Sequence, residues 1–292
     1  MDYRAHEDFV APARERAELW RTLAGALTAV IAGLALYQAA LAVLALGVGD
    51  AGMRWLMDQT TYYADTPFAT LVVLFSFAFF GLGTALAVPA VHGRGVLTLL
   101  GGWEGAVSDF MRVTTATLGL YLLLLVVLPQ DYALERNAAL PTGLWLALMP
   151  LSLLAVMVQA GSEELFFRGY LQQQLAARLP WPLWMLVPSA LFGLAHVSGE
   201  AGTGWIFGLW ALAFGLAAAD LTARTGALGA ALGLHFANNA VAILVTALAG
   251  PGSGLALWHV PRTAAELDAA MLLPELGMLF CAWLAARLAL RV

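Results

Sequence analysis

Eight apolar runs, at roughly 22–47, 67–91, 106–128, 143–167, 182–198, 204–220, 226–249 and 268–290, leave this chain little choice of fold. Most approach the length of about 20 residues that a membrane-spanning helix needs. The chain has 292 residues, of which 61% are hydrophobic and only 11% charged. A soluble domain carries about a quarter charged residues. A mean hydropathy of +0.80 implies apolar surface that needs lipid, not a larger core. The sequence therefore predicts an all-α, polytopic membrane bundle of about eight transmembrane helices. It divides into a polar N-terminal segment, 1–21, and an integral membrane domain, 22–292. The run at 182–198 is short, follows Pro180 and Pro182, and contains Pro188, where a kink is expected.

The basic residues predict orientation. All fourteen are arginine. With a cytoplasmic N-terminus and eight spans, Arg4, Arg14, Arg16, Arg21, Arg94, Arg112, Arg168, Arg178, Arg224, Arg287 and Arg291 fall on the inner side. Only Arg54, Arg136 and Arg262 fall outside, the asymmetry expected when both termini are cytoplasmic. The expected location is the cell (inner or plasma) membrane. The first 21 residues lack the apolar core and cleavage site of a signal peptide. They read as a cytoplasmic, interfacial helix with Trp20 and Arg21 at the membrane edge. The net charge of −5 excludes the basic stripe that nucleic-acid binding requires. Cys281 is the single cysteine, so no internal disulfide can form.

An ionisable residue inside a span costs about 2.5–3.5 kcal/mol on insertion scales, which makes each one a functional candidate. The candidates are Glu163 and Glu164, His196, His235 with Asn238 and Asn239, and Glu275. Glu163 and Glu164 are neighbours, so a helix points them about 100° apart. Arg168 follows Glu164 by one helical turn, in the favoured order for an ion pair. Glu163 is left without a local partner, and a desolvated carboxylate of this kind suits a general base. The bland alternative is a helix end at the membrane edge, where charges are ordinary. His196 lies one turn after Phe192 and could be merely interfacial. His235 and Asn239 share one helix face near mid-membrane and could hold an oxyanion. Hydrogen bonding between helices is their alternative role, and it fits Asn238 better. Gly229 and Gly233 ahead of them form a small-residue pair that lets a neighbouring helix approach closely. Glu275, after Pro274, reads as structural or interfacial.

Three strings occur in order: EELFFR at 163–168, FGLAH at 192–196 and HFANN at 235–239. They fit EExxxR, FxxxH and HxxxN. Together they resemble the CPBP family of CAAX proteases and bacteriocin-processing enzymes, also called the type II CAAX prenyl protease or Abi family. The resemblance covers about 140–250 and implies an intramembrane endopeptidase. It makes Glu163 the catalytic glutamate, helped by His196 to hold and activate a water. His235 and Asn239 become the oxyanion hole, and Glu164, Arg168 and Phe192 the supporting residues. Zinc is the one cofactor left open, with Glu163, His196 and His235 able to supply its ligands. The implied partners are membrane lipid and a membrane-associated protein or peptide substrate. Two other readings compete: a proton-coupled transporter, which would usually show internal repeats, and a catalytically inactive scaffold or assembly factor.

Helical rise places Glu163 some 30 Å along its span, near the inner face, and His196 about 20 Å from that face. The two meet if helix 4 is steeply tilted or if helix 5 starts below the membrane surface. The short, proline-broken 182–198 run favours the second and predicts a water-filled cavity open to the cytoplasm. The segment 169–181 is then expected as an amphipathic helix at its mouth.

Overall fold

The computed structural model describes residues 3–127, 134–197, 199 and 203–292. The last residues of the spans expected over 106–128 and 182–198 lie outside these. Helices follow the apolar runs. After a short helix α1 (Arg4–Val10) and a 3₁₀ turn, α2 runs over Leu19–Met57 and α3 over Pro67–Ala87. Then come α4 (Trp103–Val127), α5 (Thr142–Glu164), α6 (Gln173–Ala176), α7 (Trp181–Ala195), α8 (Gly204–Thr225), α9 (Gly229–Ala240) and α10 (Ala269–Leu290). Among the described residues, six helical stretches are long and apolar enough to cross a membrane, and two shorter apolar ones, Trp181–Ala195 and Gly229–Val245, complete the eight expected. The architecture is an all-α polytopic bundle.

Local chemistry sets the boundaries. Thr66 caps α3 by accepting from the Ala69 N–H, and Pro67 fills the first helical position. Asp268 caps α10 in the same way through Ala270. The path of α2 breaks at Gly49, whose φ of 67° is open to glycine at little cost. Pro188 sits inside α7, as the sequence places it.

Two features depart from the hydropathy reading. A small sheet was not foreseen: Glu135–Arg136 pairs antiparallel with Trp258–Val260, which pairs parallel with Thr246–Leu248. Arg136 ties this sheet to the start of α5 by donating to the Leu140 and Leu257 carbonyls. The larger departure concerns the fourth apolar run, 143–167, which forms α5. It does not end near 167 but continues through π turns (Leu165–Gln172) into α6, giving one helical stretch of 35 residues, Thr142–Ala176.

That continuation overturns the amphipathic helix expected over 169–181. Gly169 through Leu175 are buried, because the N-terminal segment packs onto them. Gln172 donates to the Ala219 carbonyl and contacts His6 Nε2 at 3.3 Å. Gln173 donates to the carbonyls of Phe9 and Thr98, and Gln174 bonds His92. His6, Phe9, Val10 and Ala13 are buried in return. Burial pushes the His6 imidazole down to about 4. Trp20 remains exposed, with the Arg21 guanidinium 4.6 Å over its ring.

Helices α4 and α9 run parallel and touch at the predicted glycines. A Cβ on Gly229 would overlap the Ala106 carbonyl, and one on Gly233 would fall 2.8 Å from the Phe110 carbonyl oxygen. The small pair thus admits α4, whose backbone lies directly against α9.

Candidate active site

The site forms where α5 and α9 pass each other antiparallel. His235, in mid-α9, meets both glutamates at the end of α5. Its Nδ1 lies 2.7 Å from Glu164 Oε1, and its Nε2 lies 3.5 Å from Glu163 Oε2. One turn further along α9, Asn239 Nδ2 donates to Gln159 Oε1 at 2.8 Å, one turn back along α5. The pairs 235–163 and 239–159 are matched steps on two antiparallel helices.

Glu164 and Arg168 form the expected ion pair, at 3.0 Å, with side-chain exposures of 0% and 1%. Glu164 Oε1 therefore accepts from Arg168 and from His235 together. A histidine carries nitrogens on two sides of its ring, and His235 reaches both carboxylates despite their divergence. Arg168 is enclosed by aromatic faces, 4.7 Å from the Phe192 centroid and 6.0 Å from that of Phe214. These contacts hold a desolvated guanidinium by its π partners as well as its carboxylate.

Glu163 is 6% exposed. Its Oε2 has no hydrogen-bond partner among the described residues, since 3.5 Å to His235 exceeds good bonding distance. Glu164 Oε2 lacks a partner too, but Glu164 Oε1 already accepts from Arg168 and His235, so among the described residues Glu163 is the carboxylate of the pair that no good hydrogen bond engages.

His196 closes α7 and is half-buried. Its Nδ1 donates to the Phe192 carbonyl at 2.8 Å, which in a neutral ring leaves the Nε2 lone pair available. Among the described residues no hydrogen bond joins it to either glutamate. The link is aromatic: Phe192 lies 4.3 Å from the His196 ring and 5.9 Å from the His235 ring, centroid to centroid. Phe192 therefore packs against all three motifs, touching Arg168, His196 and His235. Glu275 stands apart on α10, near Tyr121.

Glu163 is an interior residue of a continuous helical stretch, with 13 residues beyond it to Ala176, so this helix does not stop at the site. Two cavities, of about 230 and 530 Å³, lie between α2 and α3, and none of Glu163, His196, His235 or Asn239 lines them, so neither is the water-filled cavity expected at the site. Phe166, Phe167, Phe192 and Phe214 belong to the apolar core around the site. The metal expectation fares similarly. Among the described residues no three His, Cys, Asp or Glu side chains lie together as metal ligands. Glu163 and His235 adjoin, but no contact brings His196 to either of them. As placed, this donor set does not gather three ligands for zinc.

Gln159 escaped the reading because it is uncharged. Its spacing carried the signal: QAGSE gives Gln-xxx-Glu, the antiparallel complement of His-xxx-Asn.

A buried Glu/Glu/Arg/His group with amides one turn away, in a bundle of membrane-spanning helices, defines a membrane protein with a site built inside its helix seam. Residues 145–241 match the model of the type II CAAX prenyl endopeptidase Rce1-like family, and all three motifs fall within them. That segment is similar to this family, in keeping with the resemblance its motifs carry. The chain is also 31% identical over 141 residues to the Bacillus subtilis (strain 168) protein called uncharacterized protein YyaK. The alignment covers 47% of this chain and 46% of that relative, so the chain spans less than half of the relative's length. No solved structure matches it.

Proposed function

We propose that this protein is an intramembrane endopeptidase that hydrolyses peptide bonds of membrane-associated proteins or peptides with a glutamate-activated water. The observation that carries the reading is Glu163, a buried carboxylate with an unbonded oxygen beside His235, inside the family-matched segment.

In this mechanism Glu163 takes a proton from a water shared with the Nε2 lone pair of His196. The resulting hydroxide attacks the scissile carbonyl carbon. His235 and Asn239 donate to the oxygen on which negative charge develops. Glu163 then passes its proton to the leaving amine. Because Nδ1 of His235 donates to Glu164, Nε2 can donate to an oxyanion only if the ring is doubly protonated. The buried group would then set two carboxylates against two cations, an even charge count that a low-dielectric site favours. Rotation of the Phe192 and Phe167 rings is the movement that would admit substrate and water. The proposed setting is the cell membrane, with both termini and the opening of the site on the cytoplasmic side.

The test offers purified protein in detergent a library of farnesylated CAAX peptides, alongside co-expressed membrane proteins. Wild type should cleave, and Glu163→Ala and His235→Ala should not. Cleavage that survives both substitutions refutes the reading. Proton-linked uptake without cleavage points to a carrier instead.

A further inference from the structure

Beyond the three motifs, a line of neutral polar side chains crosses the bundle from α4 through α9 to α5. The Tyr121 hydroxyl donates to Asn238 Oδ1 at 3.0 Å. Asn238 Nδ2 donates to Asn239 Oδ1 at 3.3 Å. Asn239 Nδ2 donates to Gln159 Oε1 at 2.8 Å. All three bonds run in the same sense, so each fixes the orientation of the next amide. An asparagine amide turned over by 180° exchanges its donor for its acceptor. Here the turned-over form would set the Asn239 oxygen against the Gln159 oxygen and its NH₂ against the Asn238 NH₂. Both contacts are repulsive. Asn239 can turn over only if Asn238 and Gln159 turn with it, so the line ties its orientation to theirs.

Fixing that amide matters because Nδ2 carries two hydrogens. One is bound to Gln159. The second is left on the side of the half-buried Asn239 that Gln159 does not cover. We infer that Gln159 is a positioning residue, which, with Tyr121 and Asn238, locks the Asn239 amide so that its second N–H is held ready for the oxyanion. The inference rests on the protease reading above and names the part that makes Asn239 effective. Preorganised donors of this kind cost no reorganisation as the reaction proceeds.

Turnover by purified wild type, Gln159→Leu, Tyr121→Phe and Asn239→Ala tests this, with a farnesylated CAAX peptide from the library as substrate. Gln159→Leu should lower kcat roughly tenfold or more with KM nearly unchanged, since misplacing a donor costs the transition state. Tyr121→Phe, which removes one oxygen and keeps the ring, should lower kcat a few-fold. Neither should lower it further in an Asn239→Ala background, because both act through Asn239. If Gln159→Leu leaves kcat unchanged, or lowers it equally in both backgrounds, the inference is wrong and the protease reading stands. If Gln159→Leu does not fold, Tyr121→Phe decides by the same two comparisons. If wild type cleaves no peptide while remaining folded, the protease reading and this inference fall together.

Discussion

Two stretches of the α5–α9 seam, one helical turn apart, solve the same problem by different means. At the first, His235, Glu163, Glu164 and Arg168 bring full charges into the bundle. At the second, Gln159, Asn239, Asn238 and Tyr121 carry no charge. The charged end pairs Glu164 with Arg168 one helical turn away and packs phenylalanine around them. The neutral end needs no counter-charge, but its amides can each point two ways, so orientation must be set by a chain of partners. Burial makes charge expensive at one end and direction uncertain at the other.

The comparison is broken most severely at Glu163. Glu163→Gln should lower turnover by about 10³ or more with little change in melting temperature, since a general base contributes about 10²–10⁴ and this oxygen has no structural partner. Next is the ion pair. Glu164→Ala strands Arg168 at 1% exposure and should destabilise the protein by about 3–5 kcal/mol, measured by thermal unfolding in detergent. The double variant Glu164→Leu with Arg168→Met should recover much of that loss, which would show that the charges cost stability and are kept for another reason. At the neutral end, Asn239→Ala should lower kcat by about 10²-fold, as for a lost oxyanion donor, and leave the fold intact.

The smallest effect lies further along the same helix, where Gln172 holds His6. The folded protein keeps His6 neutral down to about pH 4, whereas an ordinary histidine titrates near 6.5. The unfolded chain binds the extra proton between those values, so docking of the N-terminal segment weakens as pH falls through that window, by up to about 3 kcal/mol. Faster hydrogen exchange of residues 4–16 at pH 4.5 than at pH 7.5, absent in His6→Phe, checks this.

Much of the fold was legible because apolar run length is a local property. Each of the eight runs became a helix. The end of helix 4 was not legible. Gly169 and three glutamines read as a departure from the membrane, and what buries them comes from Phe9, His92, Thr98 and Ala219, distant in sequence. The site was legible as a set of residues but not as a set of contacts. Helix geometry paired Glu164 with Arg168, as the structure does, yet it could not foresee that one imidazole reaches both glutamates. Gln159 was readable in principle, since two antiparallel helices with matching four-residue steps must face each other.

The π turns at Leu165–Gln172 amount to a change of phase. A π turn advances less around the axis per residue than an α turn, so eight such residues rotate everything beyond them relative to an ordinary helix. Upstream of the shift, the helix shows its polar side to α9. Downstream, Gln172, Gln173 and Gln174 turn toward the N-terminal segment and α8. One uninterrupted rod thereby serves two neighbours on different sides.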